Sequence, residues 1–137
     1  MTRVFADAGY WIALLNPKDG LHAKALVASA ELGKVRIVTS EMVLTEVLNA
    51  FAGKGELLRK AACDLFDRIR SNANAEIVPM TSIALRNAVD RYRSRADKTW
   101  GVTDCTSFLI MEQKGITEAL SADREFQQAG FKALMAD

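Results

Sequence analysis

The chain has little of what marks special architectures: of 137 residues only 2 are Cys, 2 are Pro, 8 are Gly and 1 is His. So few prolines and glycines beside 50% hydrophobic residues exclude a collagen-like chain and an intrinsically disordered one. Cys63 and Cys105 stand far apart with no paired Cys or His spacing, so neither a disulfide framework nor a zinc site is indicated. A reducing cytoplasm is the expected setting. Excess charge of one sign is also missing, since 18 basic and 17 acidic residues leave a net +1 and no global field for capturing polyanions. Any polyanion must meet a local patch. The apolar stretch Val4 to Leu15 is too short to span a bilayer, is interrupted by Asp7 and lacks the basic start and cleavage pattern of a secretion signal. No membrane partner is expected, and the length suits one domain over 1–137.

What is present is an alternation of two periodicities. Strands are predicted at Arg3–Ala6, Val35–Val38, Glu76–Pro79, Ala119–Ser121 and Phe131–Leu134. Helical spacing runs from Asp7 to Leu15, from His22 to Leu32, from Thr39-Ser40 to Phe51, from Glu56 to Ser71, across Leu85, Ala88, Val89 and Tyr92, from Thr103 to Gln113, and briefly around Phe126. Gly33 and Gly115 stop two of these helices, Gly53 and Gly55 split another pair, and Ser94–Gly101 reads as a loop. Strands alternating with helices predict an α/β domain with a central, mainly parallel sheet of four to five strands covered on both faces. Sites in such sheets lie at the carboxyl ends of the strands.

Three aspartates stand at those places: Asp7 and Asp123 just past strands, and Asp104 at a helix entrance. For each taken singly, capping of a helix N-terminus is a sufficient explanation. Glu46 differs because it lies inside a helix, about 60° outside the apolar arc, where capping explains nothing. Carboxylates gathered in one pit repel one another and must take up protons or bind a hard cation. Oxygen ligands favour Mg²⁺ or Mn²⁺, and an open site with retained water points to phosphodiester chemistry.

The segments Val4-Phe5-Ala6-Asp7, Thr39 to Glu46, Thr103-Asp104-Cys105-Thr106-Ser107-Phe108 and Leu120 to Phe126 with Gly130-Phe131 together resemble the PIN domain, in order and over essentially the whole chain. Within that family the chain is most similar to the VapC-type ribonuclease toxins. The resemblance implies a three-layer α/β/α sandwich, a Mg²⁺-dependent endoribonuclease, and Asp7, Glu46, Asp104 and Asp123 as catalytic metal ligands. It also implies an RNA substrate and a VapB-like antitoxin partner. One departure is Ala8-Gly9 after the first aspartate, where the family commonly carries a hydroxyl residue. Thr39, Ser40 or Ser121 can supply that hydroxyl instead.

Substrate contacts are expected from Arg124, Ser121 and Thr103, with Arg86, Arg91, Arg93, Arg95 and Lys98 enriching the stretch before the helix of Asp104. His22 reads as a surface residue rather than a base, Cys105 as buried, and Tyr10 and Trp11 as core. The high apolar content makes a homodimer an expectation. The competing readings are a PIN nuclease with no toxin role, a DNA-cutting relative, a receiver-type signalling domain and an inactive PIN-fold binding module. The receiver lacks its acidic pair here, and no Gly-rich nucleotide loop occurs.

Overall fold

Short β-branched runs separated by helical periods fold into the predicted alternation. The computed structural model describes residues 1–137. The strands are β1 (Thr2–Ala6), β2 (Val35–Ser40), β3 (Ala75–Val78), β4 (Glu118–Leu120) and β5 (Lys132–Ala133). They form one sheet of order β3-β2-β1-β4-β5, with every pair parallel. Parallel neighbours need crossovers, supplied by α1 (Ala8–Leu15), α2 (His22–Glu31), α3 (Glu41–Phe51), α4 (Glu56–Ser71), α5 (Ser82–Ser94), α6 (Val102–Lys114) and α7 (Arg124–Gln128). Helices α1 to α4 pack as one group, α5 to α7 as another, and α3 touches α6. No helix is long and apolar enough to cross a membrane.

Central β1 is apolar on both faces, and its Val4, Phe5 and Ala6 are almost wholly buried. Edge strand β5 is two residues long and exposes Lys132, which blunts the edge against pairing with another chain. Helix α6 is enclosed on most sides, burying Cys105, Thr106, Ser107, Phe108, Ile110 and Met111. Phe108 lies at the centre of an aromatic cluster, its ring 5.0 Å from Trp100, 5.0 Å from Phe126 and 5.8 Å from Phe131. Gly115 ends α6 in the left-handed region at φ +67, a conformation that favours glycine.

The structure departs from expectation at particular residues. Strand β2 continues through Thr39, whose hydroxyl donates to Ala6 O at 2.9 Å, so Ser40 alone caps α3 by accepting from Val43 N at 3.1 Å. The last strand shrinks to two residues. Leu85 and Tyr92, expected on the buried side of α5, are 42% and 51% exposed. The reason is that α5 packs chiefly on α6, so its covered stripe narrows to buried Ala88 with Ala84, Val89 and Arg91 half-buried. His22 is half-buried and its Nδ1 bonds Ala13 O at 2.7 Å, tying α2 to α1. Tyr10 and Trp11 are core residues, as expected.

Candidate metal and active site

Strand order reverses at β1: the chain steps outward through β2 and β3, then returns to the other flank of β1 with β4. Crevices in open parallel sheets form at this switch point, outside the strand ends. Phe5 pairs with Ala119 and Ala6 with Leu120, so Asp7 and Ser121 leave adjacent strands side by side. Asp7 N–H donates to Leu120 O at 3.2 Å, which fixes the turn. Ser121 Oγ donates to Asp7 Oδ2 at 3.2 Å and accepts Asp123 N–H at 3.0 Å. Of the three hydroxyls considered from sequence, Ser121 is the one that reaches the Asp7 carboxylate.

Capping does not account for Asp7 and Asp123. Asp7 and Asp123 occupy the N-cap positions of α1 and α7, yet neither side chain accepts a hydrogen bond from its helix. Asp104 stands at the entrance of α6, as expected, in its first turn as the third residue, where its Oδ2 accepts the N–H of the N-cap Gly101 at 2.9 Å, a capping contact. Glu46 projects from the exposed side of α3, next to buried Val47. Burial falls from Asp7, 5% exposed, through half-buried Asp104 to exposed Glu46 and Asp123.

The carboxyls influence one another. Burial pushes Asp7 from its ordinary 3.8 up to about 7; the Ala8 amide opposes this, while the charges of Asp123, Asp104 and Glu46 add to it. Glu46 is raised by burial and then by Asp104 and Asp123. Asp104 is raised by burial, drawn back by the Gly101 amide, and raised by Glu125 and Asp123. Asp123 is raised by burial and Glu125 and partly lowered by a hydrogen bond with Asp7. Glu125 is thus a fifth acid within reach, one to which sequence reasoning assigned no role. Its signal was present, two residues after Asp123, but an acid in a first helical turn needs no further explanation.

None of the seven salt bridges in the structure involves Asp7, Glu46, Asp104, Asp123 or Glu125. The five form no closed cage, since no three Asp, Glu, His or Cys side chains converge to ligating distance. Open oxygen donors around one buried carboxylate suit a hard cation that keeps part of its water, which is how Mg²⁺ is usually held. Beside them Ser107 Oγ, one turn beyond Asp104 and wholly enclosed, is a buried polar atom with no hydrogen-bond partner. Thr103 is half-buried in the first turn of α6, and Arg124 is exposed and unpaired at the start of α7. Among the other cations, Arg91 is held by Glu112, Arg93 by Asp90 and Arg95 by Asp97. A surface cavity of about 340 Å³ opens at the opposite end of the sheet beside Thr2, Lys34 and Glu118.

Fold and site define an all-parallel α/β protein with an uncompensated acidic centre at its switch point. The PIN domain family profile matches residues 4–132, and the chain belongs to that family. It is 30% identical over 131 residues to the 23S rRNA-specific endonuclease VapC20 of Mycobacterium tuberculosis, in strains CDC 1551 / Oshkosh and H37Rv, covering 93% of this chain and 95% of the relative. The crystal structure of that VapC20, described as a sarcin-ricin loop cleaving toxin, superposes with a TM-score of 0.82 at 29% identity, over 93% of this chain and 95% of that one. FitAcB from Neisseria gonorrhoeae superposes with a TM-score of 0.65 at 16% identity over 95% of each chain, a likeness of fold.

Proposed function

We propose that this protein is a divalent-metal-dependent endoribonuclease, the toxin of a VapBC-like toxin-antitoxin pair, with residues 1–137 acting as one PIN domain. The observation that carries the reading is the set of five carboxyls at the switch point, one of them buried, with no basic side chain to balance them. The likeness to VapC20 supports RNA as the substrate, and the sarcin-ricin loop of 23S rRNA is the first target to test.

Asp7 and Asp104 would hold Mg²⁺ or Mn²⁺ directly, with Glu46 and Asp123 acting directly or through water. When bound, the cation supplies an acidified water for attack and offsets charge on the phosphoryl oxygens. Ser121 holds the Asp7 carboxylate in one orientation and, through the Asp123 amide, sets the start of α7. The Gly101 amide does the same for Asp104. Asp7 has to give up its proton before it can ligate, and repulsion from its neighbours then favours any cation that enters. In-line attack leaves a 5′-phosphate and a 3′-hydroxyl. The same reading makes the protein a cytoplasmic homodimer whose VapB-like antitoxin covers the acidic crevice, and it gives Arg124, Ser121 and Thr103 the contacts to substrate.

The test is incubation of purified protein with a sarcin-ricin hairpin and with total RNA, in Mg²⁺, Mn²⁺ or EDTA, with the cut ends mapped. Cleavage should require the metal and disappear in Asp104→Asn; an Asp104→Asn protein that still cuts overturns the assignment.

A further inference from the structure

The acids create a difficulty for RNA binding. Five carboxyls without a counter-cation repel phosphates, and a metal ion attends only to the scissile one. With a net charge of +1 the chain must hold the flanking nucleotides by cations placed locally. One candidate lies on the segment that leads into α6, a cavity of about 380 Å³ lined by Tyr92, Arg93, Arg95, Lys98, Thr99 and Trp100. Its position is fixed from two directions. Trp100 Nε1 donates to Gln128 Oε1 at 2.9 Å, tying the cavity to α7, and the Trp100 ring packs edge-on to Phe108 of α6 at 5.0 Å. The next residue, Gly101, supplies the amide that holds Asp104. Trp100 and Asp104 are four positions apart, at most about 14 Å of chain, a distance that a few nucleotides span.

The lining side chains divide by role. Arg95 is gripped at both ends by Asp97, at 3.0 Å each, and lies 4.8 Å over the Trp100 ring, so its charge is balanced and it serves as a flat wall. Arg93 pairs one turn away with Asp90 in solvent, a contact worth little and easily exchanged. Lys98 stands in no salt bridge. Tyr92 presents half its surface to solvent from a helix whose apolar stripe does not need it. A free ammonium and an unburied ring on one cavity wall are the elements of a single-stranded nucleotide site.

We propose that this cavity binds one flanking nucleotide of the RNA, its phosphate on Lys98 with Arg93 as a second cation and its base against Tyr92. The inference rests on the nuclease reading above, and its test separates the two. Anisotropy of a fluorescein-labelled sarcin-ricin hairpin is measured with Asp104→Asn protein, alone and with Lys98→Ala, Tyr92→Ala or Lys34→Ala added, across a salt series. Lys34 is an exposed lysine at the far end of the sheet. Lys98→Ala should weaken binding severalfold and flatten the slope of log K against log salt by about 0.7, the loss of one single-strand phosphate contact. Tyr92→Ala should weaken it about tenfold with the slope unchanged, because stacking releases no counterions. Lys34→Ala should do neither. In the cleavage-competent protein the same cavity substitutions should raise KM more than they lower kcat. If Lys98→Ala and Tyr92→Ala both bind within twofold of the parent and keep its slope, the cavity is not the site, even where the wild type cuts RNA. If the wild type cuts no RNA in either metal, it is the nuclease reading that falls.

Discussion

Asp7→Asn perturbs the centre of the site with almost no change of shape. The Asp7 carboxyl is 5% exposed and is pushed from 3.8 up to about 7, so the folded chain holds this proton far more tightly than the unfolded chain does. An acid shifted upward contributes stability that is complete below its unfolded pKa of 3.8 and is lost as the pH climbs through about 7. At about 1.4 kcal/mol for each tenfold difference in proton affinity, the gap is worth about 4 kcal/mol as an upper bound. Asn accepts the Ser121 hydrogen bond through its Oδ1 and has no proton to lose. The metal-free variant should therefore melt within a few degrees of wild type at pH 4 and well above it at pH 8, by about 10 °C for a chain of this size. The assay is circular dichroism melting in EDTA at pH 4, 6 and 8. At pH 8, Mg²⁺ at a hundred times its Kd should narrow the gap by about 2.7 kcal/mol, which it adds to wild type and not to a variant that does not bind it, and about a thousand times its Kd should close it. A melting-temperature difference that is the same at all three pH values, or a variant less stable than wild type at pH 8, would refute the reasoning.

Three further outcomes follow from named contacts. Ser121→Ala removes a hydrogen bond to the charged form of Asp7, so the acid limb of the cleavage rate against pH should move upward and half-saturation by Mg²⁺ should need several times more metal. Ser107→Ala deletes an enclosed hydroxyl without a partner and should stabilise the metal-free chain by about 1 kcal/mol, read as a higher midpoint in urea. Phe108→Ala empties the aromatic cluster that joins α6, α7 and the Trp100 loop, and should cost about 3 to 5 kcal/mol in the same titration.

Most of the fold was legible because its strands and helices each carry one strong period. The boundaries that moved, such as β2 running on to Ser40, lie where a hydroxyl residue suits either a strand or a cap. Leu85 and Tyr92 misled because helical spacing reports an apolar face without reporting whether a neighbour covers it. The acids Asp7, Glu46, Asp104 and Asp123 could be picked out as a group, but their individual situations could not. That Asp7 is the buried one and that Glu125 joins the group depend on the pairing of β1 with β4. The Ser121 to Asp7 bond joins residues 114 apart, and no local pattern encodes which of three hydroxyls makes it.

Two sets of carboxylates in this chain show why the centre needs an ion from outside. Glu76, Asp97, Glu112 and Asp137 are all held below their ordinary values, chiefly by hydrogen bonds from Lys114, Arg95, Arg91 and Lys24 respectively. Asp7, Glu46, Asp104 and Asp123 are all raised, and burial is the main cause in each. The side chains are chemically the same, so the opposite directions come from where the cations stand. With 18 basic residues for 17 acidic ones the chain has cations enough; it places them around the rim and none in a salt bridge at the switch point. A lysine there would relieve the repulsion and stabilise the fold, but it would also fill the position that a divalent ion needs and leave no charge for the phosphate. The strain in the metal-free centre and its capacity for phosphodiester chemistry therefore have the same origin, the missing counter-charge beside Asp7.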